Sequence, residues 1–188
     1  MLSRSRRKAR EGAMRVLYEL ELGHPTTGDA IEHAAMEMEI THDLADYMLR
    51  LVTGVRENRA KIDETVASYV KGYDFDRLAV VDRNILRIAA FELLFVPEIP
   101  PAVTINEAIE IARRYSTLES PKFVNGVLGA LVRNSDKANW DPATAPAEFG
   151  EEGSAESEAP DIEELEVAPD DESFRVASRV GGWKIRQE

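Results

Sequence analysis

The chain has 188 residues, with 23 Lys plus Arg against 35 Asp plus Glu for a formal net charge of −12, and no cysteine. That length suits one ordinary domain or two small ones, and the missing thiols exclude a disulfide framework, thiolate metal sites and cysteine nucleophiles, so a reducing cytosol is the simplest home. The acid is unevenly spread: residues 141–188 hold 14 acids against 4 bases while residues 1–140 hold 21 against 19, so the acidity of the whole does not exclude a polyanionic partner for the body.

The basic start, Arg4 to Arg10, runs into Glu11, Arg15 and Glu19 without an apolar core, unlike a secretory signal. Ala9, Ala13, Val16, Leu17 and Leu20 fall on one face of a predicted opening helix that Gly23 and Pro25 close. A short helix is expected from Asp29 to Met38. Thr41 caps the next, whose core face is Leu44, Tyr47, Met48, Leu51 and Val55; Ile62, Val66, Tyr69 and Val70 repeat the spacing after a kink near Asn58. Gly72 ends that half.

The second half opens with a predicted helix from Val81 to Val96, apolar on nearly every side and interrupted by Arg83, Asn84, Arg87 and Glu92. Such a helix belongs in the middle of a fold, and its charges and length rule out a membrane span. Arg87 is expected to be paired internally. Pro97, Pro100 and Pro101 stop it, and Thr104-Ile105-Asn106-Glu107 has the form of a capping box, placing the next helix start at Thr104. Arg113 and Arg114 suit its carboxyl end. Ser120 caps the last helix ahead of Pro121, with Val124, Val127, Leu128 and Leu131 as core face and Gly126 and Gly129 expected to allow close packing. No segment before Trp140 alternates with period two. The predicted fold class is therefore all-α, with a domain over 1–140 in two parts of about 1–74 and 75–140, followed by 141–188. From Asp141 to Glu172 there are 13 acids, no bases and four prolines, a composition expected to stay disordered. Residues 173–188 mix apolar and basic groups, as a short docking peptide or a plain terminus would.

Catalysis has no candidate residues. His24, His33 and His42 are nine apart, a spacing that puts neighbours on opposite faces of a helix, so no shared metal site is expected, and no phosphate loop or nucleophile motif is present. The amino terminus carries Arg4, Arg6, Arg7, Lys8, Arg10 and Arg15 against Glu11 alone, a cluster whose natural partner is phosphate. At 100° per residue Arg10, Met14, Arg7 and Tyr18 form a flank beside the core stripe. Guanidinium groups and a ring on one surface are what single-stranded RNA requires, with a solvated basic terminus as the plain alternative. A second basic patch surrounds Tyr115 and Phe123 with Arg113, Arg114 and Lys122, where Phe123 is either a stacking ring or a packing residue.

Arg6-Arg7-Lys8-Ala9-Arg10-Glu11-Gly12-Ala13 with Leu17-Tyr18, Ile85-Leu86-Arg87-Ile88-Ala89 with Phe91-Glu92-Leu93, Ile105-Asn106-Glu107-Ala108-Ile109-Glu110, and Lys122-Phe123-Val124-Asn125-Gly126-Val127-Leu128 together resemble the NusB family of bacterial transcription antitermination factors, over roughly Arg4 to Arg133. The resemblance implies an all-helical fold of about seven helices, in two small bundles packed at a steep angle. It implies a non-catalytic, cofactor-free cytoplasmic protein that pairs with NusE, a small-subunit ribosomal protein. The pair would bind single-stranded boxA RNA of rRNA leader transcripts and join RNA polymerase with other Nus factors, without a membrane. Carried over by position, the RNA surface would include Arg6, Arg7, Arg10, Glu119, Lys122 and Phe123, with Tyr18 and Asp82 at or near the partner-facing surface. The same module also occurs fused to RNA cytosine methyltransferases, a reading that fails on length, since a charged tail follows Trp140 and leaves no room for a cofactor-binding α/β domain. A pure protein adaptor is the other alternative.

Overall fold

The computed structural model describes residues 2–23 and 26–141, with only the backbone described for residues 2–5 and Asp43. Residues 142–188, which hold nearly all of the stretch expected to be disordered and the whole of the apolar and basic end, lie outside the described residues. The described residues form seven α-helices and two 3₁₀ turns: α1 (Leu2–Glu21), α2 (Thr27–Glu37), α3 (His42–Glu57), α4 (Arg59–Ala67), a turn at Phe75–Arg77, α5 (Val80–Phe95), α6 (Pro101–Tyr115), α7 (Ser120–Arg133) and a turn at Asp136–Asn139. No strand occurs among the described residues.

Each helix buries the face its periodicity marks. Ala9, Ala13, Val16 and Leu17 of α1 are 0–6% exposed. Helix α5 is buried along almost its whole length and is packed by α1, α3, α4, α6 and α7, which makes it the core around which the others stand. Two glycines permit the closest approaches. A Cβ on Gly54 of α3 would lie 2.1 Å from Cζ of Phe91 on α5, and one on Gly12 of α1 would lie 2.6 Å from Sδ of Met48 on α3. Thr26 and Asp29 exchange side-chain to backbone bonds in a capping box that starts α2. Asn58 separates α3 from α4 at the expected kink.

Three expectations are corrected. Helix α6 begins at Pro101, three residues before the apparent box, because proline is already suited to the first turn. Thr104 and Glu107 then lie inside the helix and turn toward other partners. Ser120 is the first residue of α7 and Glu119 holds the cap position without a side-chain cap bond. Gly126 faces open space, with nothing within 4 Å of a built Cβ, so close packing does not explain it.

Candidate nucleic-acid interface

The arginines of α1 divide sharply in their surroundings. Arg7, with its side chain 32% exposed, lays its guanidinium against Glu107 of α6 in a fork, Nε to Oε2 and Nη2 to Oε1 both at 2.8 Å. Two parallel charge-assisted bonds fix the plane of the group, and its Nη1 stands 4.0 Å from Oε2 of Glu110. Arg10, one turn on, is 2% exposed. Its Nε donates to Oε1 of Glu92 at 2.8 Å and its Nη2 to Oε2 at 3.3 Å, with its guanidinium carbon 5.6 Å from the centre of the Tyr47 ring. The open flank expected through Arg10 and Met14 is thus corrected: Met14 is 1% exposed and belongs to the core. Sequence periodicity places both residues beside the stripe; it does not show that α5 and α6 close over that edge of α1.

Glu92 itself is fully buried. Besides Arg10 it accepts from the Tyr47 hydroxyl and from Thr104 Oγ1 at 2.8 Å, so side chains of α1, α3 and α6 meet on one carboxylate of α5. Burial works against the Arg10 charge, yet Glu92, Tyr47 and Glu107 hold its pKa above the ordinary value. Burial and the Glu92 charge push the Tyr47 hydroxyl up, which keeps it a neutral donor. Among these, Thr104 and Glu107 were misassigned to a helix cap. Their actual partners stand 12 and 100 residues away, and only the isolated charge of Glu92 in an apolar run pointed to the centre.

The second patch lies beside the first. Arg114 Nη1 donates to Oε1 of Glu11 at 3.1 Å and its guanidinium carbon sits 5.2 Å from the centre of the Tyr115 ring, tying α6 to α1. Burial, with the charge of Glu11, pushes Tyr115 up to about 12. Arg113 pairs with Glu110 and stays exposed, as does Lys122 at the start of α7; Arg6 and Glu119 are half-buried. Phe123 is 5% exposed, so its ring belongs to the core in this structure, the packing side of the two readings. Tyr18 is half-buried on α1. Asp82, expected near a partner-facing surface, is instead 4% exposed. Its Oδ2 accepts from Ser120 Oγ at 2.9 Å, whose oxygen also receives the Thr117 N–H at 3.3 Å. Burial pushes the Asp82 carboxyl up against the opposing Ser116 and Ser120 hydroxyls. It therefore ties the first turn of α5 to the turn that carries Glu119 and Lys122.

The assembled surface has fixed guanidinium groups, a lysine and a half-buried aromatic. Among the described residues no group of His, Asp or Glu could hold a metal ion, and no helix is long and apolar enough to cross a membrane. Oriented donors of this kind are what phosphate contacts require.

The model of the NusB family matches residues 7–133. The transcription antitermination protein NusB of Beutenbergia cavernae is 42% identical over 137 residues, covering 69% of this chain and 90% of that protein. Among solved structures, T. maritima NusB superposes with a TM-score of 0.65 at 35% identity, covering 74% of this chain and 95% of the other. A chain from a crystal structure of the antitermination factors NusB and NusE in complex with double-stranded RNA gives 0.64 at 29% identity, covering 70% and 98%.

Proposed function

The chain belongs to the NusB family, and from that premise we propose that it is a transcription antitermination factor. It binds single-stranded boxA-type RNA of rRNA leader transcripts together with the ribosomal protein NusE. In the cytoplasm the pair joins elongating RNA polymerase through other Nus factors and supports rRNA transcription and maturation.

The observation that carries this reading is the Arg7–Glu107 fork, which fixes a guanidinium of α1 against α6, the helix whose carboxyl end carries Arg113 and Arg114. Arg6, Arg7 and Lys122 meet phosphates, and Glu119 accepts from base amino groups. Arg10 and Phe123 act from beneath, by holding α1 and the first turn of α7 at the height where their neighbours reach RNA. Asp82 sets the α7 end of the same face, and Tyr18 stands on the NusE side. The likeness to a protein crystallised with NusE and RNA supports both partners.

Binding of a boxA oligonucleotide by fluorescence anisotropy, with and without NusE, tests the proposal. Arg6→Ala with Arg7→Ala should weaken binding and flatten the slope of log affinity against log salt by about 0.7 for each lost phosphate contact. An unchanged slope in a folded variant would favour a protein adaptor with an incidental basic terminus.

A further inference from the structure

The chain leaves the described body at a defined place. Lys137 Nζ donates to the carbonyl oxygens of Glu92, Val96 and Ile99 at 3.1, 2.7 and 2.6 Å, and Trp140 Nε1 donates to the carbonyl of Pro97 at 3.2 Å. Both side chains close the carboxyl end of α5. Glu92 is also the residue whose carboxylate holds Arg10 of α1, so the exit point and the basic helix are joined to one residue, by its main chain and its side chain respectively.

Beyond the exit, residues 142–172 carry twelve acids and no base. Leaving aside Arg10 and Arg15, which pair with Glu92 and Glu37 outside it, the face formed by residues 6–15 and 106–122 carries six bases against four acids. The ion pairs of Arg7, Arg113 and Arg114 are made with acids already in that count and leave the excess unchanged. Lys8 gives its bond to a neutral carbonyl, that of Glu39, and Lys122 makes no ion pair among the described residues. The face therefore stays positive after its internal pairing, and a polycarboxylate complements it.

We propose that the acidic segment 142–172 docks on this face of α1 and the α6–α7 turn, as an intramolecular competitor for the positions that hold phosphate. Reach is sufficient: 31 residues can span at most about 100 Å, against a radius of gyration of about 14 Å for a body of this size. Tethering supplies an effective concentration near the millimolar range. Carboxylates neutralise guanidinium groups but offer no base edges or rings, so the segment displaces loosely held RNA more readily than RNA that also makes base contacts. This selectivity rests on the RNA reading above; the docking itself does not.

The test compares the ¹⁵N-labelled full chain with the same chain carrying Asn for Asp and Gln for Glu throughout 142–172. At about 10 mM salt, where the Debye length is about 30 Å, the amide resonances of Arg6, Arg7, Lys8 and Lys122 should differ between the two chains, and the difference should fade by about 0.2 M. The neutralised chain should also bind a non-cognate single-stranded oligonucleotide several-fold more tightly at low salt. Identical resonances overturn the docking. Tighter RNA binding with identical resonances also overturns it, since that is long-range repulsion alone. Differing resonances with no RNA binding by either chain uphold the docking and bring down the proposed function instead.

Discussion

Helices α1 and α5 are joined by ion pairs at both ends, and the two ends differ in sign and in access to water. At one end the arginine is on α1 and the carboxylate on α5, Arg10 to Glu92. At the other the carboxylate is on α1, where Glu21 accepts from Arg83 at 2.5 Å and from Arg87, while Asp63 of α4 takes Nε and Nη2 of Arg87 at 2.7 and 2.9 Å. Reversing α5 would set arginine against arginine and glutamate against glutamate, so the pattern specifies one antiparallel arrangement against its alternative. The Arg10–Glu92 side chains are 3% and 1% exposed, whereas Glu21 and Asp63 keep 12% and 24%. A sealed pair depends on every partner being present; an open one can substitute water.

Removing one partner at each end tests that distinction. Glu92→Ala strands a guanidinium, a phenol and a threonine hydroxyl in the interior, and should cost about 3–5 kcal/mol in urea unfolding. Replacing the whole cluster together, Arg10→Met and Glu92→Leu with Tyr47→Phe and Thr104→Val, should recover most of the loss, because apolar groups of similar volume need no partners. A cost below about 1 kcal/mol for Glu92→Ala would erase the contrast. Arg87→Ala should cost less, about 1–3 kcal/mol, since the carboxylates left behind reach solvent. A larger loss there than at Glu92 would invert the comparison.

The smallest effect sharpens the sealed end through pH. Burial lowers the Lys137 ammonium to about 8 from 10.5, only partly opposed by the charges of Glu92 and Glu98. Between those values the unfolded chain still holds the proton that the folded chain has released. Stability from this group therefore rises as pH climbs through that window and is least below it. Urea unfolding at intervals between about pH 8 and 9, below the ordinary tyrosine titration, should show the rise in the parent and a flatter profile in Lys137→Met. Parallel profiles would assign the titration to another group.

Helices were legible in the sequence wherever a single stripe determined burial. The uninterrupted apolar character of α5 marked it as central, and Asn58 marked the break between α3 and α4. What stayed hidden depends on a second helix. Thr104 and Glu107 have the spacing of a cap, and nothing local reveals that Glu92 and Arg7 are their partners. Arg10 has the angular position of a flank residue, and only the arrival of a carboxylate from α5 makes its burial tolerable. Asp82 and Phe123 read as surface positions by carry-over, yet the turn from Thr117 to Ser120 folds over the first and the core closes over the second. The basic excess of the first turns of α1 was visible at once because charge is counted without knowing the fold.

The fork between Arg7 and Glu107 spans 100 residues of chain, and the bond between Arg114 and Glu11 spans 103. During synthesis at about 5–20 residues per second, α1 emerges roughly 5–20 s before the helix that orients its arginines. For that interval the basic segment is already outside while its geometry is not yet set. The fixed orientation of these guanidinium groups thus arrives late, when α6 closes onto α1. A nascent chain carries the charge of this face before it carries its shape, so α1 is an unselective polycation until α6 has been made.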